Sequence, residues 1–160
     1  MQRMMDAVIT ALNAADVPAV RAMPPALLAP LTAPVTAVGL KSAKAEQEAL
    51  FSYLGLTERN GSQVPLYGKK LKQVIFLQVV CPRGLGADRC LEEAETVVET
   101  ILDGVDGVQI GEVNVGGCEY DQTADLLTCT ITAACEGFLY AVADGDETEF
   151  TDFILKGEAT

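Results

Sequence analysis

The chain has 160 residues, 49% apolar and 21% charged, which reads as a globular domain long enough to bury a core. It contains no histidine, so Cys–His zinc sites and every His-based triad or dyad are excluded. Its 23 acids outweigh 11 bases, giving a formal net charge of −12. Residues 90–160 hold seventeen of the acids and one lysine, so specific binding of a nucleic-acid backbone by that half is disfavoured.

The opening segment "MQRMMDAVITALNAADVP" carries one early arginine and an apolar stretch, the outline of a signal peptide. Asp6 interrupts the stretch, and Met5, Val8, Ile9 and Leu12 recur at helical spacing. Residues 2–14 are therefore expected to form a helix of the mature protein, in a cytoplasmic chain with no membrane span. "DVPAVRAMPP" reads as a turn into a short extended piece ended by Pro24 and Pro25. In "ALLAPLTAP", Pro30 and Pro34 break any helix beyond about a turn. Leu27, Leu28 and Leu31 there either cap the core or form an exposed patch for a partner.

"PVTAVGLKSAK" is an expected strand. Residues 41–70 are a polar excursion around an apolar island "ALFSYLGL", with Asn60-Gly61 as a hairpin signal. An excursion of that length has a job beyond connection, so an extended hairpin or arm is expected. "KKLKQVIFLQVVCP" follows. Val74–Cys81 is nearly all apolar and predicts a central strand covered on both faces.

"VVCPRGLGADRCLEEAE" then turns into a helix over about 88–102. Its expected stripe is Leu91, Ala94, Val98, Ile101 and Leu102, with Asp88 as N-cap and Gly104 as stop. "VQIGEVNVGGCEYD" and "LLTCTITAACEGFLYAV" read as an antiparallel pair joined at "DQTAD", with a bulge expected at Gly116-Gly117. In the second strand Leu127, Cys129, Ile131, Ala133 and Cys135 alternate with Thr128, Thr130 and Thr132, the period of a half-buried strand. "DGDETEFTDFILKG" closes with a turn and a short strand. The fold class is thus α+β in a single domain over 1–160: a mostly antiparallel mixed sheet, packed by two helices, with a long hairpin or arm.

Candidate sites are few. Gly84-Leu85-Gly86 sits where a strand meets a helix, the context for anion or phosphate binding. It lacks the third glycine of a dinucleotide fingerprint and the lysine of a P-loop. Five cysteines with no Cys-x-x-Cys pair and no histidine base read as buried small hydrophobes, Cys118 undecided. "DGDETE" lacks the central glycine and terminal glutamate of a calcium loop. Asp121 and Asp125 read as turn formers. No catalytic, cofactor or metal residue is therefore assigned, and the chain is not expected to be an enzyme.

Charge is the sharper signal. Residues 1–89 hold ten Lys/Arg against six Asp/Glu, whereas residues 90–160 hold one lysine against seventeen acids. Such asymmetry fits copies packing head to tail. Arg83 and Arg89 lie near a helix N-terminus, where a cation opposes the dipole, so they are expected to meet the acid-rich surface of a second copy. With Lys69, Lys70, Leu27, Leu28 and Leu31 they form the expected subunit interface.

The order of elements resembles that of the small α+β tail-terminator (tail-completion, or neck) proteins of long-tailed bacteriophages and prophages. The resemblance runs through "VITALNAADVPAVRAMPP", "PVTAVGLKS", "KKLKQVIFLQVVCPRGLGADRCLEEAETVVETIL", "CTITAACEGFLY" and "FTDFILKG". It implies a structural ring subunit, typically of a hexamer, that caps the tail tube and meets the head connector. Such a subunit is assembled in the bacterial cytoplasm and resides in the virion. The 41–70 excursion would then reach toward the tube or a neighbouring subunit, and an acidic lumen would avoid holding DNA. The alternatives are a head-closure adaptor, a small-molecule or anion-binding module using Gly84–Gly86, and a thiol enzyme.

Overall fold

The computed structural model describes residues 2–21, 31–47, 53–142 and 153–156. Helix α1 (Gln2–Ala14) leads into strand β1 (Ala19–Arg21), followed by β2 (Val35–Glu46), β3 (Tyr53–Arg59) and β4 (Ser62–Pro82). A single 3-10 turn (Arg83–Leu85) opens α2 (Gly86–Asp103). Strands β5 (Gln109–Asp121), β6 (Leu126–Val142) and β7 (Phe153–Lys156) complete an α+β fold on one mixed sheet of seven strands.

The sheet is ordered β1-β2-β4-β6-β5, with β3 beside β4 and β7 beside β6. Among the described strands only β1–β2 is parallel; the other pairs are antiparallel. Its spine is the β4–β6 pair, in unbroken register from Leu66↔Val142 to Pro82↔Leu126. β2 flanks β4 from Lys70 to Val80, and β3 flanks the same edge from Ser62 to Tyr67. The sheet therefore has a near half, with β1, β2 and β5, and a far half built from β3, β4, β6 and β7.

Both helices pack on one face of the near half. Met4, Val8 and Leu12 of α1 and Cys90, Ala94, Val97 and Ile101 of α2 join Val38, Ile75, Leu77, Val79, Cys81, Cys129, Ile131, Ala133 and Cys135 in a single buried cluster. The β6 residues follow the expected alternation, with Thr130 exposed on the opposite face. Asn13 ties α1 to β1: its side-chain amide donates to the Ala19 carbonyl at 3.1 Å and accepts the Ala19 N–H at 3.0 Å. Arg21 closes the same corner by donating to the Gln2 carbonyl at 3.0 Å and pairing with Asp6.

Three expectations change. β4 is central, but helices cover only one of its faces. Val74, Phe76 and Gln78 on the other are half-buried. Phe76 has its place there for a different reason: its ring tip occupies the space above Gly39, its cross-strand partner, where a Cβ would come within 2.2 Å of the ring. In α2 the buried stripe is Cys90, Glu93, Ala94, Val97 and Ile101, while Leu91 and Leu102 are exposed. The helix is rotated from the expected stripe because Cys90 and Val97 take the core positions. Asp88 is not the N-cap. Leu85 holds that position without a side-chain cap, and Asp88 lies in the first turn, where its charge still suits the dipole.

The hairpin at Asn60-Gly61 forms as expected, with φ of 52° and 78°, the positive pair of a type I′ turn. Gly104 closes α2 with φ 133°. The β5 edge carries register shifts at Gly111–Glu112 and Gly116–Gly117, the second as expected. Two bulges on one edge strand spoil it as a template for adding another strand.

The Phe76–Gly39 contact predicts a coupled pair. Gly39→Ala displaces the ring and should cost about 1–2 kcal/mol, but far less when Phe76 is already alanine. A double-mutant cycle by urea denaturation measures the difference.

Candidate functional site

The far half of the sheet is where β4 and β6 outrun their helices. Along β4, alternate residues keep facing the helix side: Cys81, Val79, Leu77, Ile75, Gln73 and Leu71 are buried, whereas Lys69 and Tyr67 are exposed. The cover ends between Leu71 and Lys69. Beyond it the same face carries Tyr67 (37% exposed), Tyr53 (42%) and Leu56 (58%), with Lys69 among them. Tyr53 and Tyr67 are cross-strand partners with ring centroids 5.7 Å apart, edge to face. A sheet face of this kind normally lies against another layer.

The reverse face of the same region is ionic. Lys44 and Glu46 of β2, Lys70 and Lys72 of β4 and Glu136 of β6 form a ladder across three strands. Lys44–Glu46 is 2.6 Å, Lys72–Glu46 2.8 Å and Lys70–Glu136 2.9 Å. Hydrogen bonds from Lys44 and Lys72, and then their charges, hold the Glu46 carboxyl down at about 2, against an ordinary 4.5. The far half is thus two-sided, aromatic on one face and charge-paired on the other.

The remaining expected interface residues fall elsewhere. Arg83 crosses from the 3-10 turn to the β5–β6 loop, its Nη1 3.4 Å from Asp125 Oδ1 and 3.5 Å from the Tyr120 hydroxyl, its guanidinium 5.2 Å from that ring's centroid. The Tyr120 hydroxyl donates to Asp125, which raises the phenol and lowers the carboxyl. Arg89 meets Glu92 at 3.5 Å and Glu93 at 3.2 Å along its own helix. The acidic groups that Arg83, Arg89 and Lys70 meet therefore belong to the same chain, and these residues are not brought together. Leu31 is half-buried ahead of β2. Leu27, Leu28 and the acidic turn at 144–149 lie outside the described residues.

At Gly84–Gly86 the turn is real, and Gly86 has the positive φ of 83° that favours glycine. Its N–H already donates to the Arg83 carbonyl, and the carboxylate of Asp88 follows in the first turn. Both work against an anion there. Asp121 accepts from the Thr123 and Ala124 N–H groups at 2.9 and 3.2 Å, the turn-forming role its position implied.

Four of the five cysteines are buried. Cys90 lies against the thiols of Cys81 and Cys118, and Cys129 donates to the Gly116 carbonyl at 3.1 Å. Burial pushes Cys81, Cys90 and Cys129 above the ordinary thiol value of 9.0, and Cys135 up to about 11. These are packing groups, protonated at neutral pH, rather than nucleophiles. Among the described residues no group of three or more Cys, Asp and Glu side chains could hold a metal ion, and no helix is long and apolar enough to cross a membrane. Neither a protein-family model nor a curated protein sequence matches the chain.

Sequence reasoning missed the two-sided far half. The alternation Tyr67, Lys69, Leu71 against Lys70, Lys72 was readable, but nothing in it says where helix cover stops.

Two measurements check this account. Alkylation of the native protein at neutral pH should label the half-buried Cys118 first and the other four only on unfolding. Because burial raises the folded thiol pKa, Cys135's contribution to stability is complete below about pH 9 and is lost as pH rises toward 11. For Glu46 the sign is opposite: its folded pKa is depressed, so the contribution is complete above pH 4.5 and lost as pH falls through about 2. NMR titration should place the Glu46 midpoint near 2 and return it to the ordinary value in a Lys44→Ala/Lys72→Ala variant.

Proposed function

We propose that this chain is a structural, self-associating ring subunit that terminates or joins a phage or prophage tail tube at the head–tail interface. The observation that carries the self-association is the far half of the sheet: an aromatic face with Tyr53, Leu56 and Tyr67 exposed beyond the end of the helical layer. Isolated apolar residues on a surface are ordinary, but several on one face of a protruding sheet mark an interaction site.

Charge distribution supports the same reading, since basic and acidic groups are separated along the chain and a head-to-tail contact brings unlike charges together. The tail assignment rests on the order of elements, which resembles the tail-terminator family. That resemblance supplies the expected hexamer, the tail-tube and head-connector partners, and the virion location. The buried thiols, with their raised pKa values, favour a structural role over thiol chemistry.

Light scattering coupled to size exclusion, followed by negative-stain electron microscopy, tests the proposal. The expected result is a closed oligomer whose mass is a fixed multiple of 16.9 kDa and whose images are rings, alone or with tail-tube protein present. A strict monomer at high concentration, unchanged by tail-tube protein, would overturn it.

A further inference from the structure

We infer that Cys118 and Cys90 form a peroxide-sensitive thiol pair: Cys118 is the residue oxidised, and Cys90 resolves it as a disulfide that ties α2 to the β5 edge. The inference is independent of the self-associating reading above, and it concerns the one thiol whose role the sequence leaves open.

Three elements bring the thiols together. Cys81 lies at the end of β4, Cys90 near the start of α2 and Cys118 on β5. Cys118 is the cross-strand partner of Cys129, and directly opposed residues of an antiparallel pair share one face of the sheet. Cys129 belongs to the helix-covered core, and Cys118 packs against that core from the sheet edge. From the helical layer Cys90 lies against the thiols of both Cys81 and Cys118.

Exposure and direction select the pair. Cys118 is half-buried, whereas the other four cysteines are buried, so a small oxidant reaches Cys118 first. Cys81 and Cys90 also touch, but both are 0% exposed. The Cys129 thiol is turned toward the Gly116 carbonyl, 3.1 Å away. That leaves Cys90 as the partner. The bulge at Gly116–Gly117 immediately precedes Cys118 on a strand at the end of the sheet order, and bulges re-aim the side chains beside them. Among the described residues even a Cβ added at Gly117 would meet nothing within 4 Å, so this edge has room to adjust.

The oxidant is a hydroperoxide, here hydrogen peroxide. The Cys118 thiolate attacks one peroxide oxygen, an S–O bond forms, the O–O bond breaks, and the departing hydroxide takes up the thiol proton as water. Cys118 is then a sulfenic acid. The Cys90 sulfur attacks the Cys118 sulfur, an S–S bond forms, the S–O bond breaks, and the oxygen leaves as water with the Cys90 proton. In sum two thiols lose two electrons and two protons, and one hydrogen peroxide becomes two waters. Burial raises the Cys90 thiol, and loss of its proton with the oxygen means that no buried thiolate has to persist.

The test treats the native full-length chain with a small molar excess of hydrogen peroxide at neutral pH and alkylates the remaining thiols in denaturant. Trypsin with a glutamate-specific protease puts Cys81, Cys90 and Cys118 on separate peptides, because Arg83, Arg89, Glu92, Glu112 and Glu119 stand between or beside them. Mass spectrometry is expected to find one reductant-labile link, Cys90 to Cys118, with the other three cysteines alkylated. Cys118→Ala should slow peroxide-driven thiol loss at least ~10-fold. Cys90→Ala should leave Cys118 as a sulfenic acid, trapped by dimedone, with no link. Should circular dichroism show that Cys90→Ala has lost its fold, the map of the natural chain and the Cys118→Ala rate decide. Cys118 carried on to sulfinic acid while Cys90 stays a free thiol overturns the inference. So does a link through any other cysteine or to a second copy, equal thiol loss in Cys118→Ala, or no oxidation at all.

Discussion

The rest of the molecule depends on the pairing of β4 with β6. Seventeen residues of each strand stay in register without a bulge, from Leu66↔Val142 to Pro82↔Leu126. At about 3.3 Å per residue this ribbon is roughly 55 Å long. Helix α2 has 18 residues and α1 has 13, so at 1.5 Å per residue they reach only about 27 and 20 Å. Whatever their tilt, two such helices side by side cannot cover the whole ribbon. The near half becomes a conventional helix-on-sheet core, and among the described residues no helix covers the far half.

That division explains how the side chains are distributed. In the covered half the inward residues are small or branched, such as Cys81, Val79, Cys129 and Ala133, which let the helices approach closely. The thiols belong to this packing. Past Leu71 the inward positions turn to Tyr67 and Lys69, and the outward ones to Lys70, Lys72 and Glu136. The ionic ladder satisfies one face of the protruding sheet on its own, in contact with water. Its pairs are solvent-screened and contribute modestly, but they fix which face stays polar. Among the described residues the aromatic face has no such ionic pairing. Meanwhile the β5 edge is interrupted by two bulges, which make that edge a poor template for an added strand.

The elements themselves were largely legible. The helix over 2–14, the hairpin at Asn60-Gly61, the alternation in β6 and the stop at Gly104 are local matters, set by spacing and by backbone conformations that few residues adopt. What failed were inferences about which side is covered. Apolar density in Val74–Cys81 pointed to two covered faces, but Phe76 owes its place to the space above Gly39 on another strand. The α2 stripe was misplaced because leucines were weighted above Cys90 and Val97, and a helix turns toward whichever residues fit the sheet beneath it. Asn13, which bonds both polar groups of Ala19, gave no sign of this role, since its partner is fixed only once β1 lies beside α1.

For the candidate site the same boundary holds. Sequence alone determined the charge separation, the absence of histidine and the existence of a hairpin in 41–70, because these are properties of composition and of local turns. It also supplied the arginines, but not their partners: Arg83 meets Asp125 and Tyr120 across the end of the sheet, a contact 37 to 42 residues away in the chain. Only the tertiary structure decided that the hairpin extends the central strands rather than standing apart, and that its two faces differ. Both follow from where the helices end along the ribbon, a length set by packing that no local pattern in the sequence records.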